Sequence, residues 1–237
     1  MIPAKGVKIA SLALIVAVST APALASNDDA TSHRSFDDVA QWTSVFDDPS
    51  RDAWQKPAEL VRALRLQPGM TVADLGAGTG YLSRYLSAAV GPEGTVLAVD
   101  VEPNLVIHLR KRAEKESTHN VTPILGSVDA PRIPARSVDL ALILDAFHHI
   151  DDRIDYARRL KRALRPDGRV AIIDWQKRDL PVGPEKDHKL ARKKVLGEMT
   201  EAGYVLVEEP TVLPYQYFLI FRPADAAAPA TRPSPGD

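Results

Sequence analysis

Short runs of apolar residues alternate along the chain with longer segments whose apolar residues recur every three or four positions. A short apolar run between turn residues is typical of a buried β-strand, whereas the longer period is typical of an amphipathic α-helix. The pattern therefore predicts strands at residues 71–75, 95–99, 121–125, 138–144, 169–173, 204–208 and 215–221, and helices around residues 57–64, 82–89, 103–117, 154–164 and 185–202.

Strands and helices that alternate with short turns form a mostly parallel sheet with helices on both faces. Residues 138–144 are apolar except for Asp139, which predicts a central strand buried on both faces. No helix separates the last two strands, so we expect a hairpin that makes one strand near the C-terminus antiparallel. The predicted fold is α/β, with a Rossmann-like, doubly wound sheet of seven strands. Residues 166–168 (Pro-Asp-Gly) are predicted to be the turn before the fifth strand.

A glycine-rich loop follows the first predicted strand and leads into a helix: Gly76-Ala77-Gly78-Thr79-Gly80. Glycines at such a turn let the chain reverse tightly and let a ligand approach the backbone. Open α/β sheets bind ligands at the carboxyl ends of their strands, and Asp100 ends the second predicted strand. An acid at that place can accept hydrogen bonds from two ribose hydroxyls. The loop and the acid together predict a site for a nucleoside-containing cofactor.

The spacing of the glycines separates two classes of cofactor. A dinucleotide-binding loop of the form G-x-G-x-x-G/A requires Gly or Ala where this chain has Tyr81, which disfavours an NAD-dependent oxidoreductase. The form G-x-G-x-G, with Asp74 two residues ahead, resembles motif I of the class I S-adenosylmethionine (SAM) dependent methyltransferases. Over roughly residues 50–221 the later motifs also resemble that family, in order and spacing: Asp100, Val128-Asp129 with Ile133-Pro134, Ser137-Val138-Asp139, Asp145-Ala146-Phe147-His148-His149, and the turn Leu164-Arg165-Pro166-Asp167-Gly168, in which Asp167 replaces a glycine.

This resemblance implies SAM as the cofactor and divides the candidate residues between two ends of one site. On the acceptor side it implies Asp145, His148 and His149. Adjacent residues point in different directions, so at most one of the two histidines should face the acceptor, and a structural role is as plausible as a role as base. The residues implied for cofactor binding are Asp74, Gly76, Gly78, Gly80 and Asp100, with Asp129 accepting from the adenine amino group.

No metal site is predicted, because Asp145 and Asp174 alone do not supply the oxygen ligands that Mg²⁺ requires. Methyl transfer from a sulfonium mainly requires alignment of nucleophile, methyl group and sulfur. A general base is needed only where the nucleophile carries a proton with a high pKa. The expected function is transfer of a methyl group from SAM to a small-molecule acceptor. The alternative is a module on the same fold that binds SAM or another nucleoside without turnover.

Residues 26–56 precede the first core helix and are expected to form a segment that can cover the cofactor. Trp54 is either part of that cover or anchors the helix that begins at Pro57 to the core. His188 lies in a charged stretch that is typical of a solvated helix start, so substrate binding is the less favoured role for it.

Charge and composition mainly limit the partners. The 237 residues include 30 basic and 31 acidic side chains, for a net charge of -1, without the basic excess typical of a nucleic-acid binder. We therefore expect no nucleic-acid partner. The absence of cysteine from the sequence excludes disulfides, thiolate metal sites and cysteine nucleophiles. The oligomeric state stays open.

Both ends are expected to lie outside the folded domain, which is predicted to span residues 57–222. Lys5, Lys8, the apolar run 9–18 and Ala23-Leu24-Ala25 are typical of a signal peptide, residues 1–25, that is cleaved after Ala25. The run is shorter than the roughly 20 residues of a membrane span, so an uncleaved anchor is the alternative. Residues 223–237 are rich in Ala and Pro and are expected to be disordered. The mature protein is then secreted or periplasmic, without a stable membrane span, and needs a source of SAM outside the cytoplasm.

Overall fold

The computed structural model describes Phe36 and residues 38–226. The predicted signal peptide and the end of the predicted tail, residues 227–237, lie outside this part of the chain. Three 3-10 turns, at Pro49–Arg51, Phe147–His149 and Lys186–His188, accompany the regular elements. The helices are α1 Val39–Phe46, α2 Asp52–Gln55, α3 Pro57–Leu64, α4 Ser83–Val90, α5 Pro103–Lys115, α6 Arg153–Lys161 and α7 Arg192–Glu201; the strands are β1 Thr71–Leu75, β2 Thr95–Asp100, β3 Val121–Leu125, β4 Val138–Leu144, β5 Leu164–Trp175, β6 Tyr204–Glu208 and β7 Gln216–Pro223.

The strands form one seven-stranded sheet in the order β3-β2-β1-β4-β5-β7-β6. The five strands from β3 to β5 are parallel, and β7 runs antiparallel to both of its neighbours. This confirms the predicted α/β class, the seven strands, and the single reversed strand near the C-terminus. Because β1 to β5 are parallel, their carboxyl ends meet at one edge of the sheet.

The central strand β4 shows why its sequence is almost entirely apolar. Leu140 and Leu142 pack on one face of the sheet with α3 and α4, whereas Ala141 and Ile143 pack on the other face with α6 and α7. All four residues are removed from water. Successive side chains of a strand point to opposite faces. A strand that helices cover on both sides therefore has apolar side chains at nearly every position.

Two predicted elements differ from the structure. Strand β5 begins at Leu164 rather than at residue 169, because the predicted turn at 166–168 is a bulge inside the strand: Val138 lies opposite Leu164, and Leu140 lies opposite Arg169. The predicted helix at 185–202 is a short 3-10 turn followed by α7. Between them the chain is extended at Lys189, which is buried and donates from Nζ to the carbonyl of Arg178 at 2.9 Å. That contact would be lost in a continuous helix.

The C-terminal boundary also moves slightly. Strand β7 continues through Pro223, which lies opposite Tyr204, so the segment predicted as a tail starts inside the sheet. Among the described residues, no helix has both the length and the apolar character that crossing a bilayer demands.

Candidate active site

A cavity of about 500 Å³ lies at the carboxyl ends of β1, β2 and β4, beside the end of β5. The sheet supplies its floor, and residues of α1 and α2 form part of its wall. Most of the polar residues that the sequence predicts for the site meet here. The predicted site residues in the wall are Asp74, Gly76, Gly78, Asp100, Asp145, His148 and His149.

The glycine loop gives one wall a bare backbone. Gly76, Gly78 and Gly80 have φ values of +76°, +57° and +87°, which side chains rarely tolerate. A Cβ at Gly76 would stand 2.6 Å from Cβ of Ala146, and one at Gly80 would stand 2.8 Å from the side chain of Leu109. At Gly78 the nearest atom is 3.5 Å away, on Phe46. Gly76 and Gly80 therefore serve close packing, whereas Gly78 leaves backbone open to the cavity.

Asp100 stands at the end of β2, where the sequence predicts it. Its two carboxylate oxygens accept from the backbone N–H of Gly78 at 2.8 Å and of Glu102 at 3.0 Å. Burial raises the pKa of Asp100, although these two donors oppose the shift. Each oxygen keeps a lone pair for a further donor. The carboxylate is thus fixed by the protein and still able to accept from a ligand.

Asp74 is buried beneath the loop. Its carboxylate accepts from Oγ of Ser83 at 2.6 Å, and burial raises its pKa to about 6. This contact ties the end of β1 to the first turn of α4. Asp74 borders the cavity, in agreement with its predicted place in the cofactor site.

Apolar side chains border the cavity near Asp100. Val101 and Val128 line it and are 46% and 72% exposed, which leaves their surface free for a flat ring. Asp129, predicted to accept from adenine, does not line the cavity. Its carboxylate accepts from Ser127 Oγ at 2.6 Å and from Arg159 at 3.0 Å instead. The contact of Asp129 with adenine stays a prediction: its carboxylate is exposed and follows Val128, which lines the cavity.

Asp145 follows β4 and belongs to a ring of polar contacts. Its Oδ1 accepts from Nε2 of Gln216 at 2.6 Å, and its Oδ2 accepts from Nη2 of Arg51 at 3.3 Å. Gln55 closes the ring, since it donates to Gln216 at 2.8 Å and accepts from Arg51 at 3.0 Å. Burial raises the pKa of Asp145 to about 7 despite the nearby Arg51. The ring joins the segment before α3 to the ends of β4 and β7.

His148 forms a buried pair with Asp174. Nδ1 of His148 lies 2.9 Å from Oδ1 of Asp174, and the backbone N–H of His148 donates to Oδ2 at 3.2 Å. Asp174 also accepts from the backbone N–H of Trp175 and has no exposed surface. Burial lowers the pKa of His148, but the charge and hydrogen bond of Asp174 outweigh this effect and raise it. Since Nδ1 is engaged, Nε2 is the ring nitrogen left for a ligand.

His149 also lines the cavity, so both adjacent histidines border it, and which of them faces the acceptor stays a prediction. Both belong to a tight 3-10 turn, and their ring centroids are 4.1 Å apart. The rings of His149 and Phe36 pack edge to face, with their centroids 5.5 Å apart, whereas His148 is held by Asp174. Phe36 packs in turn against Trp42 at 4.7 Å, and Trp42 stacks on Phe46 at 5.2 Å. These three rings cover the site, and the sequence interpretation did not identify them.

Trp54 combines the two roles considered for it. It lines the cavity, and its ring lies 5.2 Å from that of Trp175 at the end of β5. Gly183 also packs closely on Trp175, because a Cβ there would stand 2.8 Å from the Trp175 ring. His188 is exposed and borders the cavity as well. The end of the cavity near β5 is therefore walled by aromatic side chains.

Within the part of the chain that the structure describes, no group of three or more His, Asp and Glu side chains could hold a metal ion. Besides the three covering rings, the sequence analysis did not identify the two polar residues that contact Asp145, which are Arg51 and Gln216. Nothing in their local sequence marks them, since both reach Asp145 through contacts across the fold. The position of Asp174 at the end of a predicted strand marked it as a candidate, but its pairing with His148 could not be inferred from the sequence spacing.

Comparison with known proteins identifies the class of domain. Residues 72–168 match a family described as a methyltransferase domain. A SAM-dependent methyltransferase from Aquifex aeolicus superposes with a TM-score of 0.74 at 28% identity, over 78% of this chain and 97% of that one. Residues 72–168 are thus similar to a methyltransferase domain, and the fold is that of a SAM-dependent methyltransferase.

Curated relatives are similar over a shorter stretch. A demethylmenaquinone methyltransferase from Listeria welshimeri is 28% identical over 153 residues, which are 63% of this chain and 64% of that protein. A ubiquinone/menaquinone biosynthesis C-methyltransferase from a Shewanella species is 28% identical over 136 residues, which are 57% of this chain and 54% of that protein. The chain thus aligns with less than two thirds of the length of these curated relatives.

The described residues fit SAM. Asp100 has free acceptor capacity for ribose hydroxyls, and Val101 and Val128 offer apolar surface for the adenine ring. The open backbone at Gly78 lets the ligand approach the loop without a side chain in the way. Methyl transfer is the chemistry that SAM supplies when bound.

Asp100→Ala should weaken SAM binding by about 30- to 1000-fold, because charge-assisted hydrogen bonds contribute roughly 1.5–3 kcal/mol each. Asp100→Asn should lose less, since the amide oxygen still accepts. Isothermal titration of the purified protein measures both. Asp167→Ala is the matched control and should leave the affinity unchanged, because Asp167 is exposed and does not line the cavity. Equal losses at the two positions would contradict this placement of the cofactor.

Asp174→Ala should lower the free energy of unfolding by about 3–5 kcal/mol, because it leaves a buried histidine and two backbone N–H groups without their acceptor. Urea denaturation measures the loss. Asp167→Ala removes an exposed acid from the same strand and should change stability by no more than about 0.5 kcal/mol. A neutral effect of Asp174→Ala would show that the pair does not hold the end of β5.

Proposed function

We propose that the protein transfers the methyl group of SAM to a small, largely apolar acceptor that carries an ionisable hydroxyl group, such as a phenol or a hydroquinone. The observation that carries the proposal is the pair of His148 and Asp174, because His148 lines the same cavity as Asp100 and is held by the buried Asp174. A base in the acceptor half of a SAM site suits an acceptor that must lose a proton, and it has no purpose in a module that only binds.

The curated relatives support the same class of acceptor. Their names describe methyl transfer to demethylmenaquinone and in the biosynthesis of ubiquinone and menaquinone. Such molecules combine an aromatic ring, ionisable oxygens in the reduced state and an apolar body. We extend to this chain only the chemistry that these acceptors share.

The acceptor half of the cavity suits such a molecule. Trp54, Trp175, Tyr156 and Ile150 line it and offer aromatic and aliphatic surface. Apolar walls bind an aromatic ring and exclude water from the reacting atoms. A polar acceptor such as an amino acid would find few partners on these walls.

His148 is placed to take the proton. Asp174 holds Nδ1–H, so the neutral ring presents the lone pair of Nε2, and the acceptor hydroxyl loses its proton to that atom. The buried carboxylate of Asp174 stabilises the imidazolium that results. General-base assistance of this kind typically contributes 10²- to 10⁴-fold to the rate. Once deprotonated, the acceptor is the nucleophile that the cavity aligns with the methyl group.

A methyl-transfer assay tests this proposal. The full chain is incubated with methyl-labelled SAM and three acceptors: a naphthohydroquinone with a free ring carbon, a simple phenol and an aliphatic amine. Mass spectrometry of the products should show methylation of the hydroquinone or the phenol and not of the amine. His148→Gln should lower kcat by about 10²- to 10⁴-fold while SAM affinity stays unchanged. Binding of SAM without transfer to any acceptor would favour the binding module.

The pH profile separates a base from a structural histidine. The base must be neutral, and the pKa of His148 lies above its ordinary value, so kcat should rise with pH through that raised pKa and then level off. Asp174, Asp145 and Arg153 are the charged groups that act on this titration. His149→Gln, which changes the adjacent ring without touching Asp174, should keep the profile. A profile that is the same in wild type and His148→Gln would contradict the role.

We also propose that the protein is exported and that residues 1–25 are its signal peptide. The positive start, the short apolar run and the small residues at 23 and 25 support this proposal. Intact mass spectrometry after expression in a bacterium should find a chain that begins at Ser26. Ala25→Leu should keep the precursor intact, because signal peptidase requires a small residue there. Recovery of wild type with residue 1 or 2 at its N-terminus would contradict cleavage.

A further inference from the structure

Acidic side chains outnumber basic ones on the cavity wall. The acids are Asp74, Asp100, Glu102 and Asp145. Among the described residues that line the cavity, Arg51 is the only Arg or Lys. SAM carries a sulfonium, an α-ammonium and an α-carboxylate. The acids suit its positive groups, and its carboxylate needs a cationic partner in the same space.

The structure holds Arg51 firmly. Nη1 donates to the carbonyl of Phe46 at 3.2 Å, and both Nε and Nη2 donate to Oε1 of Gln55, at 3.3 and 3.0 Å. Its guanidinium lies 4.2 Å from the centre of the Tyr81 ring, directly after the glycine loop. The planar cation of Arg51 is thus fixed between the glycine loop and the segment that precedes α3, residues 38–56, which we call the covering segment.

Arg51 lines the cavity, and its hydrogen bonding is incomplete. A guanidinium has five N–H groups, and four hydrogen bonds account for all but one, which is on Nη1. The contact with Asp145 is 3.3 Å long, whereas charge-assisted bonds of this type are about 2.7–2.9 Å. Asp145 also accepts a shorter hydrogen bond from Nε2 of Gln216, at 2.6 Å. Arg51 therefore has a spare donor and a weakly held counter-ion.

We propose that Arg51 binds the α-carboxylate of SAM, and of its product S-adenosylhomocysteine, and thereby makes the site selective for nucleosides that keep the complete amino-acid end. This inference rests on the assignment of SAM as cofactor and names the residue that binds its carboxylate. Arg51 lies outside residues 72–168, so the segment ahead of the methyltransferase domain completes the cofactor site.

Two ligands that differ only in the carboxylate test the inference. They are S-adenosylhomocysteine and its decarboxylated form, S-adenosyl-3-thiopropylamine, and isothermal titration of the full chain measures both affinities. Wild type should prefer S-adenosylhomocysteine by about 10- to 150-fold, as expected for a hydrogen bond between charged groups. Arg51→Met should abolish this preference through loss of affinity for S-adenosylhomocysteine, with the decarboxylated ligand unaffected.

Two further variants control for charge and for folding. Arg84→Met removes a cation that also stacks near Tyr81, at 5.5 Å, but does not line the cavity, and it should keep the preference. Arg51→Lys keeps the charge without the planar fork and should restore part of the preference, so the outcome does not depend on the stability of Arg51→Met.

The outcomes distinguish failure of the cofactor assignment from failure of the role of Arg51. If wild type binds neither ligand, the cofactor assignment fails. If wild type prefers S-adenosylhomocysteine and Arg51→Met keeps that preference, only the role of Arg51 is overturned. Equal weakening of both ligands would mean that Arg51 merely holds the covering segment, and it would overturn the role as well.

Discussion

Four carboxylates at one edge of the sheet, three of them buried and one partly buried, are the constraint on which this site depends. Asp74, Asp100, Asp145 and Asp174 stand at the carboxyl ends of β1, β2, β4 and β5. A carboxylate removed from water needs donors to replace its hydration. Ser83 supplies one for Asp74, backbone N–H groups supply them for Asp100, Arg51 and Gln216 for Asp145, and His148 for Asp174. Each acid thus fixes a different part of the site.

The segment before α3 joins the site through the same kind of contact. Asp47 accepts from Arg112 at 2.6 Å and from Thr79 at 3.0 Å, and Asp52 accepts from Tyr81 at 2.5 Å. With Arg51 on Asp145, these bonds tie the covering segment to α5, to the glycine loop and to the end of β4. Exposed ion pairs contribute little, but these side chains are largely shielded. The cover is therefore held against the site by polar contacts as well as by its aromatic rings.

The sequence predicts the strands of the sheet well, because a strand that is buried on both faces is recognisable as a short apolar run. The bounds of β1, β3, β4 and β6 agree with the apolar runs, and the glycine loop and Asp100 lie where the predicted fold puts them. The errors lie where tertiary packing decides. The buried Lys189 interrupts a helix that the local pattern favours, because its ammonium reaches the carbonyl of Arg178. The pairing of Val138 with Leu164 likewise makes the predicted turn at 166–168 a bulge inside β5. Sequence spacing alone shows neither contact.

Asp145 couples the two halves of the site. Its charge raises the pKa of His148, and the charge of Arg51 lowers the pKa of Asp145. A ligand carboxylate on Arg51 would weaken the effect of that cation on Asp145, whereas a ligand ammonium or sulfonium beside Asp145 would act in the opposite direction. The charges of the molecule in the cofactor half therefore reach His148 through Asp145.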